Sequence, residues 1–518
     1  MAVLFLLDTN VAIAGDPLST DLEPGAPEVI ELLRMLSAHR HDVRTHPASM
    51  TDFARDTNNR RREARLATFR KYEALAEPPV PTPRQRELLG EPRPGSNDAV
   101  DHELLAAVVG DAVSYLVTDD IGIHRLARRL AVAERVLSVP DALTMLATLH
   151  AAPPNPPPSV RRAKLHQLER TDQIFDGLRN DYPGFDEWYA DKSREQREAF
   201  VVDAPDGSLA GVCIFKVEPG GEHGMPGPLL KLSTFKVSER HAGHKYGELL
   251  LKAAFEHAHV QALAGVFVTV FAKHESLVAL LETFGFNAID GATTALGELV
   301  VGKPLLDPDG VAARMQTADW PLRPGRAIDE QAASSPLESH VRFGPPHLRL
   351  SETTPHFVPV EPRWHRVLFP DAEPADEGAL FSAVEVIHRP VGNALRKAYL
   401  CRAQTRQVRP GDPLLFYRSG DEQSVYVIGV CEAAHVSRDP GEIAALVGQR
   451  TVYSLDEIRE QTRAGEVLVL LFRQDRVLRD RPITLPEAEA AGLVVSHPQS
   501  TQRARAEGIA WLTQRLDE

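Results

Sequence analysis

Four aspartates carry the first chemical signal in this chain. Asp8 ends the apolar run of residues 2–7, and Asp120 follows the strand-like run 113–118. Asp52 and Asp101 stand near the starts of two helix-like stretches. Carboxylates gathered at one site repel each other and raise one another's pKa. A hard divalent cation removes that penalty, and Mg²⁺ or Mn²⁺ prefers oxygen ligands. Such an ion binds a phosphate oxygen, activates water and stabilises a leaving group. The set therefore suits phosphodiester hydrolysis, with Asp8, Asp101 and Asp120 as metal ligands and Asp52 completing the catalytic quartet. Asp98 and Asp119 are neighbours that could substitute for two of these. Read one at a time, each is equally an aspartate at a strand end or helix N-cap.

A basic stretch with Arg60, Arg61, Arg62, Arg65, Arg70 and Lys71 follows Asp52. Arg61 and Arg62 are candidates to engage an RNA backbone beside the metal. The alternative is a solvated helix face.

The second signal is a glycine-containing basic loop, ERHAGHKYG at 239–247. It lies between a strand-like run, 229–237, and an apolar helical stretch, 249–258. Strand, loop and helix in that order aim backbone N–H groups and the helix dipole at a phosphate. Val237, Gly243 and Gly247 would form the cradle, and Arg240, His244 and Lys245 would add charge. A lone glycine loop is a weak signal; the later LLETFGF at 280–286 strengthens it.

The third signal lies in RPGDPLLFYRSG at 409–420. Aromatic rings beside a basic loop suit base stacking and phosphate contact. Trp364, Tyr417, Arg418 and Ser419 are the nucleic-acid candidates, with Gln499 and Ser500 from a late PQS. Against this, Phe416 and Tyr417 both suit a hydrophobic core.

These residues need scaffolds. Residues 1–148 read as β-α-β-α, an α/β domain with a parallel sheet, whose strand carboxyl ends share one edge where sites form. That order should bring Asp8 and Asp120 together. AAPPNPPPS at 151–159 excludes helix and central strand, so 149–159 is a linker. Residues 160–305 have α+β rhythm with antiparallel strands at 199–202, 209–217 and 229–237. A Pro-, Gly- and Ser-rich stretch, 306–356, reads as a second linker. Residues 357–518 are mostly β, with a hairpin at 412–432 and a further strand at 467–472.

The motifs carry resemblances. LLDTNVAI at 6–13, DHELLAA at 101–107 and LVTDD at 116–120 resemble the PIN domain family. That implies a Mg²⁺- or Mn²⁺-dependent ribonuclease, often a toxin with a partner antitoxin, and assigns the acidic positions to Asp8, Asp52, Asp101 and Asp120. The middle segment resembles the GNAT acetyltransferases, which hold the acetyl-CoA pyrophosphate at the glycine loop. It departs from the usual Q/R-x-x-G-x-G/A: Ala242 takes the first position and Lys245 that of the middle glycine. Leu281 replaces the tyrosine common before the FGF-like motif, and 229–237 holds no glutamate base. RPGDPLLFYRSG with VIGVCEA at 427–433 resembles the PUA-like superfamily, in its ASCH or EVE branches, whose small barrels commonly bind RNA or modified bases.

Bulk properties agree. The chain has 518 residues, 43% hydrophobic and 25% charged, enough for about three or four domains. Net charge is −14, so RNA capture would depend on local faces rather than a general basic field. The three cysteines form no CxxC pair, which excludes a zinc knuckle and suits a reducing cytoplasm. No apolar run approaches the roughly 20 residues that span a bilayer, so no membrane is expected. The expected function is a metal-dependent ribonuclease with acetyl-CoA-binding and RNA-reading accessory domains. The alternative is a GNAT N-acetyltransferase acting on RNA or protein, with a vestigial PIN domain. A third reading is an RNA-binding regulator with no enzymatic site.

Overall fold

The computed structural model describes residues 3–14, 26–50, 69, 72–93, 97–150, 160–204, 206–220, 222–225, 227–241, 244–305, 335–372, 394–402 and 405–517. Its backbone contacts divide the chain into two units.

The first unit comprises Met1–Ala152 and Ser437–Glu466. Its sheet has five strands: β1 (Leu4–Leu7), β2 (Asp42–Thr45), β3 (Glu73–Ala74), β4 (Tyr115–Val117) and β5 (Val136–Leu137). They lie in the order β3-β2-β1-β4-β5, all parallel. The apolar run at the N-terminus becomes the central strand because both its faces are covered. Phe5, Leu6 and Leu7 are each 0% exposed, and each such side chain stabilises by about 1.5–3 kcal/mol. Short polar residues start the flanking helices: Asp120 caps Ile121–Arg129 and Ser138 caps Val139–Leu149.

The α/β expectation for this segment therefore agrees with the parallel sheet. What the sequence did not reveal is the second stretch. Residues 437–466 carry the helices Pro440–Val447 and Leu455–Arg463, and they pack with the N-terminal segment although they interrupt the C-terminal one. The buried Tyr115 hydroxyl lies 2.7 Å from the Ala445 carbonyl, and Arg450 pairs with Glu134 at 3.1 Å.

The second unit comprises Pro153–Val436 and Val467–Glu518. Its first sheet is built from β6 (Val160–Lys164), β7 (Glu198–Asp203), β8 (Leu209–Glu218), β9 (Leu229–Val237), β10 (Gly265–Val270), β11 (Asn287–Thr293) and β12 (Leu299–Pro304). The order is β11-β12-β10-β9-β8-β7-β6. Every pairing is antiparallel except β9 with β10. The helix Tyr246–Val260 covers one face, burying Leu250, Leu251, Ala254 and Phe255 against the strands.

The second sheet is built from β13 (His356–Val360), β14 (Arg396–Cys401), β15 (Pro413–Arg418), β16 (Ser424–Ser437), β17 (Val467–Val477), β18 (Ile483–Thr484) and β19 (Gln502–Arg503). It is mostly antiparallel, in the order β14-β17-β16-β15-β13-β19 with β18 on β16. The stretch read as linker is partly structure. Its end forms the helix Pro336–Phe343, started by a Ser335–Glu338 capping box, and buries Phe343, Leu348 and Leu350. Proline at a first helical position and glycine after the last one were signals for it.

Candidate functional site

The ladder between β9 and β10 runs from Leu229 with Gly265 to Leu232 with Val268 and stops there. Beyond it β9 stays on β8, pairing to Val237 with Gly211, and β10 stays on β12, pairing to Val270 with Leu299. Ser233 is an extra residue between the Leu232–Phe215 and Thr234–Ile214 pairs. Such a bulge bends its strand. Two parallel strands thus part at their carboxyl ends in the middle of the sheet. Main-chain groups there are not committed to the neighbouring strand and can meet an extended ligand.

β9 leads into the basic loop. Lys245 occupies the left-handed region, at φ +61°, and stands as the N-cap of Tyr246–Val260. A glycine would adopt that conformation without strain, so the backbone keeps the shape of the glycine pattern although the residue has changed. A side chain at Gly247 would place its Cβ 2.7 Å from Leu280 Cδ2. A larger residue there would require the Leu280 side chain to shift. Arg240 is exposed, and Val237, His244 and Lys245 are half-buried. The rings of His241, His244 and Tyr246 lie 5.5–5.9 Å apart. Burial, and then repulsion from His244, hold His241 below its ordinary pKa. Gly243 lies outside the described residues.

Past the end of β10 a polar group gathers that sequence reading missed. The Tyr182 hydroxyl donates to Glu298 at 2.7 Å, and the Thr294 hydroxyl donates to the other carboxylate oxygen at 2.9 Å. Tyr182 packs on Phe271, the residue after β10, with ring centroids 5.2 Å apart. Glu298 precedes Leu299, the partner of Val270, which fixes it beside the same strand end. Asp181 pairs with Lys273 and with His274, Lys273 being the larger influence that lowers its carboxyl. Burial, and then the Glu298 carboxylate, push the Tyr182 hydroxyl up. Tyr182 and Glu298 stand 116 residues apart, so no spacing in the sequence links them. Leu281, at the position of the family's tyrosine, is 1% exposed and belongs to the core.

Asp8 and Asp120 follow the adjoining strands β1 and β4 at the carboxyl edge of the parallel sheet. Asp8 is 7% exposed. Its Oδ2 accepts from the Thr118 hydroxyl and its Oδ1 from the Thr9 N–H, both at 2.6 Å. Asp120 spends Oδ1 on the N–H groups of Gly122 and Ile123. Asp98 is forked to Arg93, Asp119 accepts from the Val139 N–H, and Asp101 lies in the first turn of the helix Asp98–Val109. Asp52, Arg61 and Arg62 lie outside the described residues. Among the described residues, no three acidic, histidine or cysteine side chains are grouped to hold a metal ion.

Among the C-terminal candidates, the structure corrects the stacking expectation for Tyr417. Tyr417 is 1% exposed and sits in the core with its hydroxyl 2.9 Å from His497 Nδ1. Strand β15 is buried along its whole length, so alternation does not bring Tyr417 to a surface. Arg418 is forked to Asp421, and Ser419 donates to the Val360 carbonyl. Trp364 is half-buried, with the Arg363 guanidinium 5.2 Å from its ring. Gln499 and Ser500 are exposed. No helix among the described residues is long and apolar enough to cross a membrane.

Comparison with known proteins bears on this geometry. Residues 163–286 match the acetyltransferase (GNAT) family. No curated protein matches. Among solved structures, a putative acyl-CoA N-acyltransferase from Klebsiella pneumoniae is similar at 18% identity and TM-score 0.22, over 29% of this chain and 98% of that one. A chimera of spermidine N-acetyltransferase from Vibrio cholerae and hSSAT is similar at 17% and 0.22, over 28% and 92%. An ASCH protein from Zymomonas mobilis is similar at 14% and 0.23, over 31% and 94%. The segment that matches the GNAT acetyltransferase family is the one that holds the parted strands and their basic loop.

Proposed function

We propose that the chain is an acyltransferase that moves an acetyl group from acetyl-CoA to an amine, the alternative that its sequence offered beside a ribonuclease. The observation that carries this is the parting of β9 from β10, with the left-handed Lys245 capping the helix that follows β9, inside the segment that matches the family. Main-chain N–H groups of the loop and the helix N-terminus, with Arg240, His244 and Lys245, would hold the pyrophosphate. Acetyl-CoA supplies an activated thioester.

The remaining work falls to the residues past β10. Glu298 is an acceptor for the proton that an attacking amine must lose. Tyr182, already donating to Glu298, holds a proton for the leaving sulfur. The two are joined by one hydrogen bond, so the proton gained at one can be returned through the other. Release of free thiol from acetyl-CoA, in the presence of polyamine, lysine-peptide and RNA acceptors, tests the reading. No binding of acetyl-CoA by the full chain would refute it.

A second reading, RNA cleavage by the N-terminal unit, rests on one observation: Asp8 and Asp120 follow adjoining strands. We derive no metal-dependent step from it, because the described residues assemble no metal site.

A further inference from the structure

The helix that begins at the phosphate loop has a charged face. Glu248, Lys252, Phe255 and His259 fall at helical spacings of four, three and four residues, one stripe of Tyr246–Val260. Beside the stripe, Leu250, Leu251 and Ala254 are buried on the acetyltransferase sheet, in the core that also takes Phe255. A stripe with an acid and a base would ordinarily face water. Here Glu248 is 7% exposed, and the side chains of Lys252 and Asp371 are 11% and 23% exposed.

What covers the stripe is the C-terminal sheet of the same unit, with the turn Pro370–Ala372 and the helix Pro336–Phe343 that flank it. Lys252 Nζ lies 2.6 Å from Asp371 Oδ2, and the Gln474 amide donates to that oxygen at 3.0 Å. Glu248 accepts from the Arg396 N–H at 3.3 Å. Lys397, fully buried beside Arg396, donates to the Leu368 carbonyl and stands over the Phe369 ring. Phe255 faces the Lys303 ammonium, which donates to the Val341 and Arg342 carbonyls. At Gly285, φ +83°, a Cβ would lie 1.9 Å from the Val341 oxygen, so only glycine allows this approach. Arg473 closes the end by donating to the Thr283 carbonyl at 3.0 Å.

Charges removed from water must be paired in good geometry, and a broken pair leaves the survivor uncompensated. The helix is therefore held in one place and rotation by directional contacts, not only by apolar packing that could slide. Its first turn and its N-terminal loop move with it. We propose that Lys252 and Asp371 are positioning residues for acetyl-CoA: through the Tyr246–Val260 helix, the C-terminal sheet sets where the pyrophosphate-binding loop stands. The inference rests on the acetyl-CoA reading above. It also gives the C-terminal domain a role in transfer without touching the substrate.

The test uses the full chain. Lys252→Met keeps length and apolar stem and leaves Asp371 with Gln474 and Lys397. Lys252→Arg keeps the charge pair. Acetyl-CoA affinity is measured by calorimetry, KM and kcat by thiol release, and folding by thermal denaturation. Lys252→Met and Asp371→Asn should each weaken acetyl-CoA binding and raise its KM roughly tenfold, within the range that coupled sites span. kcat should stay within about twofold, the signature of lost binding rather than lost chemistry. Lys252→Arg should restore the wild-type KM. If both pair-breaking variants lower the melting temperature yet bind acetyl-CoA as the wild type does, the pair only holds the fold and the inference is wrong. A fall in kcat at unchanged KM overturns it equally. Absence of binding by the wild type refutes the acetyl-CoA reading itself, and this inference with it.

Discussion

His41 Nε2 and His150 Nε2 lie 2.7 Å apart, so the two rings share one proton. His41 Nδ1 accepts from the Val3 N–H at 3.1 Å, which leaves the proton on its Nε2. The ring of His39 stacks on His150 at 3.5 Å. A second proton would set two cations against each other in a desolvated place.

Burial, and after it neighbouring His39, lower both His41 and His150 to about 4. Burial lowers His46 to about 4 as well. Unfolded histidines titrate near about 6.5. Between these values the unfolded chain binds protons that the folded chain refuses, so stability rises with pH across that window and is lost on acidification through it. Denaturant midpoints of the full chain should fall steadily from pH 6.5 to pH 4. His150→Gln keeps an acceptor for His41 and should flatten part of the slope. A midpoint that is constant across the window would contradict the pairing.

Lys245 gives a second expectation. A left-handed residue with a Cβ costs roughly 1–2 kcal/mol against glycine, offset by the entropy that glycine loses on ordering. Lys245→Gly should therefore melt at or slightly above the wild-type temperature and still bind acetyl-CoA, because backbone shape makes most of the cradle. Lys245→Val, branched at Cβ, should lower both stability and affinity. Calorimetry on the two variants separates shape from charge: equal loss in both would assign the binding to the ammonium.

How far the sequence revealed this protein depended on whether the information was local. The run 2–7 reads as a strand because Phe5, Leu6 and Leu7 need cover on both faces, and Asp120 and Ser138 read as caps from type and position. The 229–247 segment reads as strand, phosphate loop and helix even with Lys245 in a glycine's place, since the conformation is a property of the turn. Tyr182 and Glu298 were silent because only the sheet register brings them together. Tyr417 misled because a strand buried on both faces looks like one with an aromatic turned outward. The packing of 437–466 with the N-terminal unit depends on contacts such as Tyr115 with Ala445, more than 300 residues apart.

The acceptor side makes the third expectation. Glu298→Gln keeps a hydrogen-bond acceptor for Tyr182 but cannot take a proton. It should lower kcat by roughly 10²–10⁴, the usual worth of general acid–base catalysis, with acetyl-CoA affinity unchanged. Tyr182→Phe should lower kcat as well and leave the fold intact, since it keeps the ring that packs on Phe271 and the neighbouring core. Full activity in both variants would move the proton transfer elsewhere.

Asp8 makes the last. Both of its oxygens accept, from Thr118 and from Thr9, and the Thr118 oxygen itself accepts from the Asp120 N–H at 3.0 Å. The Thr118 proton is thereby directed at Asp8. In Asp8→Asn one acceptor becomes an NH₂ group, which must face the Thr9 N–H or the Thr118 hydroxyl. A buried donor left without an acceptor costs about 1–3 kcal/mol. Asp8→Asn should therefore lower the melting temperature, contrary to the expectation for a ligand that only holds a metal. Loss of RNA cleavage in that variant would then report unfolding as readily as a lost ligand. Mn²⁺ titration of the wild type separates the two, because an ion that binds the folded state raises its stability by RT ln(1 + [L]/Kd). If Asp8 serves a metal, Mn²⁺ at millimolar concentration should raise the wild-type melting temperature and should not raise that of Asp8→Asn. If it serves only the hydrogen bonds at the strand end, Mn²⁺ should shift neither, and the N-terminal unit is not a metal-dependent nuclease.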